Sequence, residues 1–145
     1  MAVDVITSKR FAVSQGGNTL NIPYDANIDL AKPNSDVDRA VVVIHGTSRN
    51  ADDYAKYVKT AADKAGEKQT AIIAPQFLLQ EDVTKHNLPK NTLYWKNDGW
   101  KSGDDSLTNS GQPFAISSYE VLNRILLKLA DSNAYPELKE IVITG

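Results

Sequence analysis

Three short apolar runs constrain the fold of this chain more than any other feature of its 145 residues. They cover residues 40–44, 70–74 and 141–144, and they consist mainly of Val, Ile and Ala without a charged side chain. Continuous runs of this kind are typical of strands that are covered on both faces. Because helical patterns separate the runs, the sequence predicts parallel strands joined by right-handed crossovers.

Two amphipathic patterns supply the predicted crossover helices. The first begins at Asn50, a favourable N-cap, and ends at Gly66. Its predicted apolar face consists of Tyr54, Tyr57, Val58, Ala61, Ala62 and Ala65. The second pattern spans about residues 114–130. Its apolar stripe consists of Val121, Leu122, Ile125, Leu126 and Leu129.

An antiparallel hairpin is predicted ahead of the first run. Apolar residues alternate with others on both sides of a turn at residues 15–18, and a polar loop follows over residues 25–38. The expected fold is therefore one three-layered α/β domain. A hairpin is followed by parallel strands with crossover helices, and the sheet is incomplete at residue 145.

Composition excludes several classes of function. Charged residues make up 23% of the chain and its net charge is −2, so no basic face is expected for nucleic acid. No apolar stretch approaches the roughly 18 residues that a membrane span requires. The absence of Cys excludes disulfides, thiolate metal sites and a Cys nucleophile. It leaves the compartment open, because secreted, periplasmic and cytoplasmic proteins can all lack Cys.

The strongest motif is His45-Gly46-Thr47, which follows the first apolar run and precedes the first helix. Gly46 lets the backbone turn and approach a ligand without a Cβ. The motif resembles the oxyanion-hole segment of the α/β-hydrolase family, which includes esterases and lipases. The resemblance implies that the Thr47 N–H is one donor to the developing oxyanion, with the Thr47 hydroxyl as a further candidate contact. It also implies that His45 orients this loop and is not the catalytic base.

Gly145 ends the third apolar run and resembles the first residue of a Gly-x-Ser-x-Gly nucleophile elbow. The family's Ser, acid and His follow in that order, so all three are expected after residue 145. The resemblance therefore implies a carboxylic ester hydrolase that works through an acyl-enzyme, on a small or polymeric substrate, without metal or organic cofactor. Residues 1–145 are expected to be inactive alone and to fold beside the C-terminal portion of the same protein.

Other interpretations of these motifs remain open. His-Gly can simply end a core strand, and Gly145 can belong to an ordinary turn. A non-catalytic binding or scaffold protein can share this fold without a nucleophile. A nucleotide-binding α/β domain is a more remote alternative, because no Gly-rich phosphate fingerprint is present.

Residues 76–112 are predicted to form a long irregular excursion that contains Tyr94, Trp95 and Trp100. These three aromatic residues are the candidate substrate contacts, with anchoring of the loop to the core as the alternative. Asp98, Asp104 and Asp105 lack the ligand spacing of a calcium loop and are interpreted as solvated turn carboxylates. His86 lies in a polar stretch and is interpreted as a surface residue.

Overall fold

The structure is a computed structural model that describes residues 1–67 and 69–145. Over these residues the chain has mixed α/β content, with a five-stranded sheet and three α-helices. The strands are β1 (Lys9–Gln15), β2 (Asn18–Ala26), β3 (Arg39–Val43), β4 (Thr70–Pro75), β5 (Leu78–Leu79), β6 (Tyr94–Trp95) and β7 (Glu140–Thr144). The helices are α1 (Ala51–Lys64), α2 (Gln80–Lys85) and α3 (Ser118–Leu129), with a 3-10 helix at Gly99–Ser102.

The main sheet is mixed, with the strand order β1-β2-β4-β3-β7. β1 and β2 form the predicted antiparallel hairpin, and Gly16 and Gly17 at its turn have φ values of 58° and 83°. Positive φ at both turn positions matches the right-handed twist of the flanking strands. β3 runs parallel to β4 and β7, whereas β2 pairs with β4 in the antiparallel sense. The predicted hairpin and the three parallel strands are confirmed.

Alternating side chains of the central strands build a core on each face of the sheet. Val43, Ile72 and Ala74 pack with Ala51 and Ala55 of α1. On the opposite face, the side chains of β3 and β4 join a larger cluster with α3 and the hairpin, and this cluster contains Val42, Ala71, Ile73, Val121, Ile125 and Leu129. Every residue of β4 is buried. Helix, sheet and helix therefore form three layers.

The predicted face of α1 is wrong in part. Ala51 and Ala55 are buried, with Tyr54, Val58 and Ala62 packed beside them. Tyr57 is 65% exposed, and Ala61 and Ala65 are exposed. The actual stripe follows the spacing i, i+3, i+4, i+7 from residue 51. The sequence pattern was ambiguous because Ala occurs on both sides of this helix.

Residues 76–112 are more ordered than the sequence pattern predicted. This segment contains β5, α2, β6 and the 3-10 helix, and β5 pairs with β6 in parallel. Short elements of this length carry little periodicity, so the pattern gave no signal for them. α3 also begins at Ser118 rather than near residue 114, because the Ser117 hydroxyl accepts a hydrogen bond from the Tyr119 N–H at 3.1 Å and caps the helix.

β7 occupies one edge of the sheet. It pairs with β3 along one side, and Ile143 is 53% exposed. Apolar side chains on an edge strand are a liability that proteins usually cover. None of the helices in the described parts of the chain is long and apolar enough to cross a membrane.

Candidate active site

The carboxyl ends of β3 and β7 lie side by side. Val43 pairs with Thr144, and the Ile44 N–H donates to the Thr144 carbonyl at 2.8 Å. Hydrogen-bonded strands lie about 4.8 Å apart, so the chain leaves both strands at the same place. Gly46 and Thr47 come directly after this point on one strand, and Gly145 ends the other. The two sequence motifs, at Gly46–Thr47 and at Gly145, therefore lie at the C-terminal ends of neighbouring parallel strands.

Gly145 approaches β3 too closely for a side chain. A Cβ atom built on it would lie 2.9 Å from the Ile44 carbonyl oxygen and 3.1 Å from the Ile44 Cβ atom. The first of these neighbours is a main-chain atom of a paired strand and cannot move without disturbing the sheet. Glycine at this position is thus explained by packing between two backbones.

Gly145→Ala is expected to lower the free energy of unfolding by about 1 to 3 kcal/mol, because the added methyl overpacks against the Ile44 backbone. Urea unfolding of the folded protein that carries this chain measures the change. Gly46→Ala is the matched control, since a Cβ there would meet only the Tyr54 hydroxyl, at 3.0 Å. Any loss of stability in Gly46→Ala should be reversed when Tyr54→Phe is added, because that change removes the hydroxyl. An unchanged unfolding midpoint in Gly145→Ala contradicts the close approach.

His45 is buried at the end of β3 and joins two segments by hydrogen bonds. Its Nε2 accepts from the Phe77 N–H at 2.8 Å, so its proton is assigned to Nδ1, which donates to the Gly46 carbonyl at 2.8 Å. Burial lowers the pKa of His45 from 6.5 to about 4, and the nearby Arg49 charge acts in the same direction. The imidazole is therefore neutral at pH 7, and both ring nitrogens are occupied within the protein.

Aromatic rings hold His45 in this orientation. Trp100 meets the imidazole edge to face at a centroid distance of 4.7 Å, and Phe77 does so at 5.8 Å. Phe77 and Trp100 stack on each other at 5.8 Å with an interplanar angle of 8°. Aromatic side chains of the 76–112 excursion thus pack against His45 and support the loop that begins there.

Stability of the folded protein is expected to fall by about 3 kcal/mol as the pH decreases from 6.5 to 4 because of His45. The sign follows from its lowered pKa: below pH 6.5 the unfolded chain takes up a proton that the folded chain excludes until about pH 4. Urea unfolding between pH 7 and pH 4 measures the decline. His45→Gln should lose this component, whereas His86→Gln should keep it. Equal declines in both variants would contradict a neutral, buried His45.

The peptide unit between Gly46 and Thr47 has a fixed orientation. Its carbonyl accepts from His45 Nδ1 and from the Arg49 N–H, the latter at 3.0 Å. Because the peptide is planar and trans, the Thr47 N–H points away from these two donors. Thr47 is exposed, and no hydrogen bond between residues of the described ranges uses its N–H as donor. The loop therefore holds the Thr47 N–H in a fixed orientation on an exposed residue.

A cavity of about 870 Å³ opens beside this donor. Residues 47–50, which include Arg49, line one side, and Asp52, Asp53 and Glu81 add carboxylates. Residues 1–5 form a further wall. We call residues 1–7 the N-terminal arm. The cavity has the size of a small-molecule site.

Gln76 fixes the N-terminal arm to the site. This side chain is fully buried, and its Nε2 donates to the carbonyls of Val5 and Arg49, each at 2.9 Å. Its Oε1 accepts from the Thr7 N–H at 3.0 Å. The arm is thus held by side-chain hydrogen bonds in place of a strand ladder.

The three predicted aromatic substrate contacts are buried and do not line the cavity. Tyr94 and Trp100 are 5% and 6% exposed, and Trp95 is fully buried. The Trp95 Nε1 donates to the Asp104 carbonyl at 3.0 Å, and its ring packs on Phe77. This arrangement supports the anchoring alternative and gives direct substrate contact no support.

Two site residues were missed by the sequence interpretation. Arg49 is 6% exposed and pairs with the fully buried Asp82, whose pKa is lowered. Burial alone would raise that pKa, but hydrogen bonds from Arg49 and from the Leu79 and Val3 N–H groups outweigh it. The proximity of Arg49 to Thr47, two residues away in the chain, is a sequence signal for its place in the site. Asp82 carries no local signal, because its partner is 33 residues away.

Asp98, Asp104 and His86 each have a partner among the described residues. Asp98 pairs with Lys101 at 2.9 Å and Asp104 with Lys96 at 3.2 Å. His86 Nε2 lies 2.7 Å from the Val3 carbonyl, so it contacts the N-terminal arm. Within residues 1–67 and 69–145, no group of three or more His, Asp or Glu side chains is placed to hold a metal ion.

The candidate site thus combines an oriented main-chain donor at Thr47, a neutral histidine beneath it, a neighbouring strand end at Gly145 and an adjoining cavity. No protein-family model, no curated protein and no solved structure matches this chain.

Proposed function

We propose that residues 1–145 form the N-terminal part of a serine hydrolase of the α/β-hydrolase family, which hydrolyses carboxylic esters. The observation that carries this proposal is the Thr47 N–H, whose peptide unit is held by two hydrogen bonds in the loop that leaves β3 next to the end of β7. A pre-oriented donor of this kind stabilises charge that develops on a carbonyl oxygen, by about 3 kcal/mol. The loop between the third strand and the first helix supplies such a donor in this family.

The nucleophile is expected as the second residue after Gly145, at the turn of the elbow. Its hydroxyl attacks the ester carbonyl, and the resulting oxyanion accepts from the Thr47 N–H and from the N–H of the residue after the nucleophile. The tetrahedral intermediate then expels the alcohol and leaves an acyl-enzyme, which water hydrolyses. His45 takes no proton in these steps, because both of its nitrogens are engaged and its pKa is about 4.

The arrangement of the sheet supports this assignment. β3 lies between β4 and β7, so the Thr47 loop emerges next to the proposed elbow strand. The close contact of Gly145 with Ile44 fits the tight strand-to-helix turn that an elbow requires. β7 is an edge strand with an exposed Ile143, and the C-terminal portion of the protein is expected to pair with this strand and cover it. Residues 1–145 expressed alone as a stable monomer with a cooperative unfolding transition would count against that part of the proposal.

Labelling of the complete protein with a fluorophosphonate tests the reaction class. We expect covalent modification of a single serine, the second residue after Gly145, identified by peptide mass spectrometry. Heat-denatured protein is the control for nonspecific labelling. Absence of labelling, or a continuation without serine at that turn, would favour a non-catalytic binding or scaffold protein with a shared architecture.

A further inference from the structure

We infer that Arg49, oriented by Asp82, is a positioning residue for the oxyanion-binding amide of Thr47. Arg49 holds the peptide units on both sides of the Thr47 Cα atom. The inference rests on the proposed function, and it adds a pair of charged residues that act on the reaction through the backbone.

Arg49 contacts both carbonyls that flank Thr47. Its main-chain N–H donates to the Gly46 carbonyl at 3.0 Å, and its Nη1 donates to the Thr47 carbonyl at 2.9 Å. Neither peptide unit can rotate without losing a hydrogen bond to this one residue. Since the Thr47 N–H belongs to the first of these units, its direction depends on where Arg49 sits.

Asp82 fixes the guanidinium in turn. Its two carboxylate oxygens accept from Arg49 Nε at 2.8 Å and from Nη2 at 3.1 Å, which is a bidentate pair. The same carboxylate accepts from the N–H groups of Leu79 at 2.7 Å and Val3 at 2.8 Å. Asp82 is therefore tied to the start of α2 and to the N-terminal arm, so the guanidinium has a rigid reference point.

Arg49 lines the cavity, but most of its guanidinium donors are engaged within the protein. Its guanidinium bonds to the Thr47 carbonyl, to the Met1 carbonyl at 2.8 Å and to both oxygens of Asp82, and it is almost completely buried. The Asp82 charge also neutralises it. Arg49 is therefore expected to promote the reaction by orienting the loop and not by contacting the substrate.

Backbone strain at Arg49 is consistent with a positioning role. Its φ of 54° lies in the left-handed region, which side-chain-bearing residues adopt at some cost. This conformation persists only where the surroundings enforce it, and such residues cluster at functional sites. Stability alone also does not explain a buried ion pair, because proteins in which apolar side chains replace such a pair are often as stable.

The test uses the complete protein after fluorophosphonate labelling of the wild type has been established. Arg49→Lys and the double variant Arg49→Met/Asp82→Leu are compared with Lys59→Met, which removes an exposed ion pair on α1. Lys retains the charge but cannot form the bidentate contact. The double variant leaves no buried charge unpaired, although the Leu79 and Val3 N–H groups lose their acceptor. Hydrolysis of p-nitrophenyl acetate and inhibition by phenylboronic acid are measured, with folding monitored by circular dichroism.

We expect both site variants to lower kcat about 10- to 100-fold with little change in KM, because a displaced donor weakens only transition-state binding. Affinity for the boronic acid, a tetrahedral analogue, should fall in parallel. Lys59→Met should leave all three quantities unchanged. Unchanged kcat in folded site variants would show that the pair is only structural, and a rise in KM alone would show direct substrate binding; either result overturns the inference. Absence of fluorophosphonate labelling in the wild type would instead contradict the proposed function itself.

Discussion

Replacement of the Thr47 backbone amide by an ester linkage is expected to lower kcat for ester hydrolysis about 10²- to 10³-fold. The substitution deletes the N–H that faces away from His45 and Arg49, while the side chain and the chain geometry stay nearly the same. The loss should appear in kcat and kcat/KM alike, since the hydrogen bond strengthens as the oxyanion forms. Incorporation of the corresponding α-hydroxy acid into the complete protein, followed by steady-state kinetics, provides the measurement.

Two controls separate the missing donor from other effects of the substitution. Thr47→Ala keeps the N–H and removes only the hydroxyl, so it reports on the further contact that the hydroxyl can make. An ester linkage at Ser48 removes the neighbouring N–H and weakens the Thr47 carbonyl as an acceptor for Arg49. Thr47→Ala should retain far more activity than the ester at Thr47, and the Ser48 ester should lose less than that ester because the Thr47 N–H remains. Equal activity of the Thr47 ester and the wild type would mean that this amide does not bind the oxyanion.

Trp95→Ala is expected to lower the free energy of unfolding by about 3 to 5 kcal/mol, because it leaves a large cavity in the core. Trp95 is fully buried, packs edge to face on Phe77 at 5.2 Å and donates to the Asp104 carbonyl. Phe77 in turn contacts His45 and donates its N–H to that ring. Chemical unfolding of the complete protein measures the loss.

Trp95→Phe distinguishes the two roles considered for this residue. The smaller ring keeps most of the apolar packing and loses the hydrogen bond to Asp104. If Trp95 anchors the excursion, stability should fall moderately while KM for ester substrates stays unchanged. A change in KM with unaltered stability would instead restore the predicted substrate contact and contradict the anchoring role.

The sheet could be predicted from sequence because its signals are local. Each of the three parallel strands is a continuous apolar run, and the hairpin turn contains two adjacent glycines whose positive φ it requires. The alternation of strands and helices along the chain then follows from the rule that parallel strands need crossovers. The position of both Gly145 and Thr47 at the C-terminal end of the sheet follows as well, since parallel strands end at the same side, whereas the pairing of β7 with β3 is seen only in the structure.

The parts that escaped prediction depend on partners distant in sequence. Besides the nearby Leu79 N–H, Asp82 bonds to Arg49 and to the N-terminal arm, and neither of these two is near it in the chain. In the sequence Gln76 is likewise only one polar residue after a strand, although its side chain bonds to two distant segments, the N-terminal arm and the loop at Arg49. Trp95 and Trp100 could be identified as important from their type alone. Whether such rings face a cavity or the core depends on the packing of the whole excursion.

The attachment of the N-terminal arm has a practical consequence for handling the protein. Met1 is fully exposed at the rim of the cavity, while Val3, Val5 and Thr7 are secured by Asp82 and Gln76. An affinity tag or fusion partner joined at this end would crowd the entrance and pull on the same carboxylate that orients Arg49. Purification handles are better placed elsewhere, and proteolytic trimming of the first few residues should be checked before kinetic constants are compared between preparations.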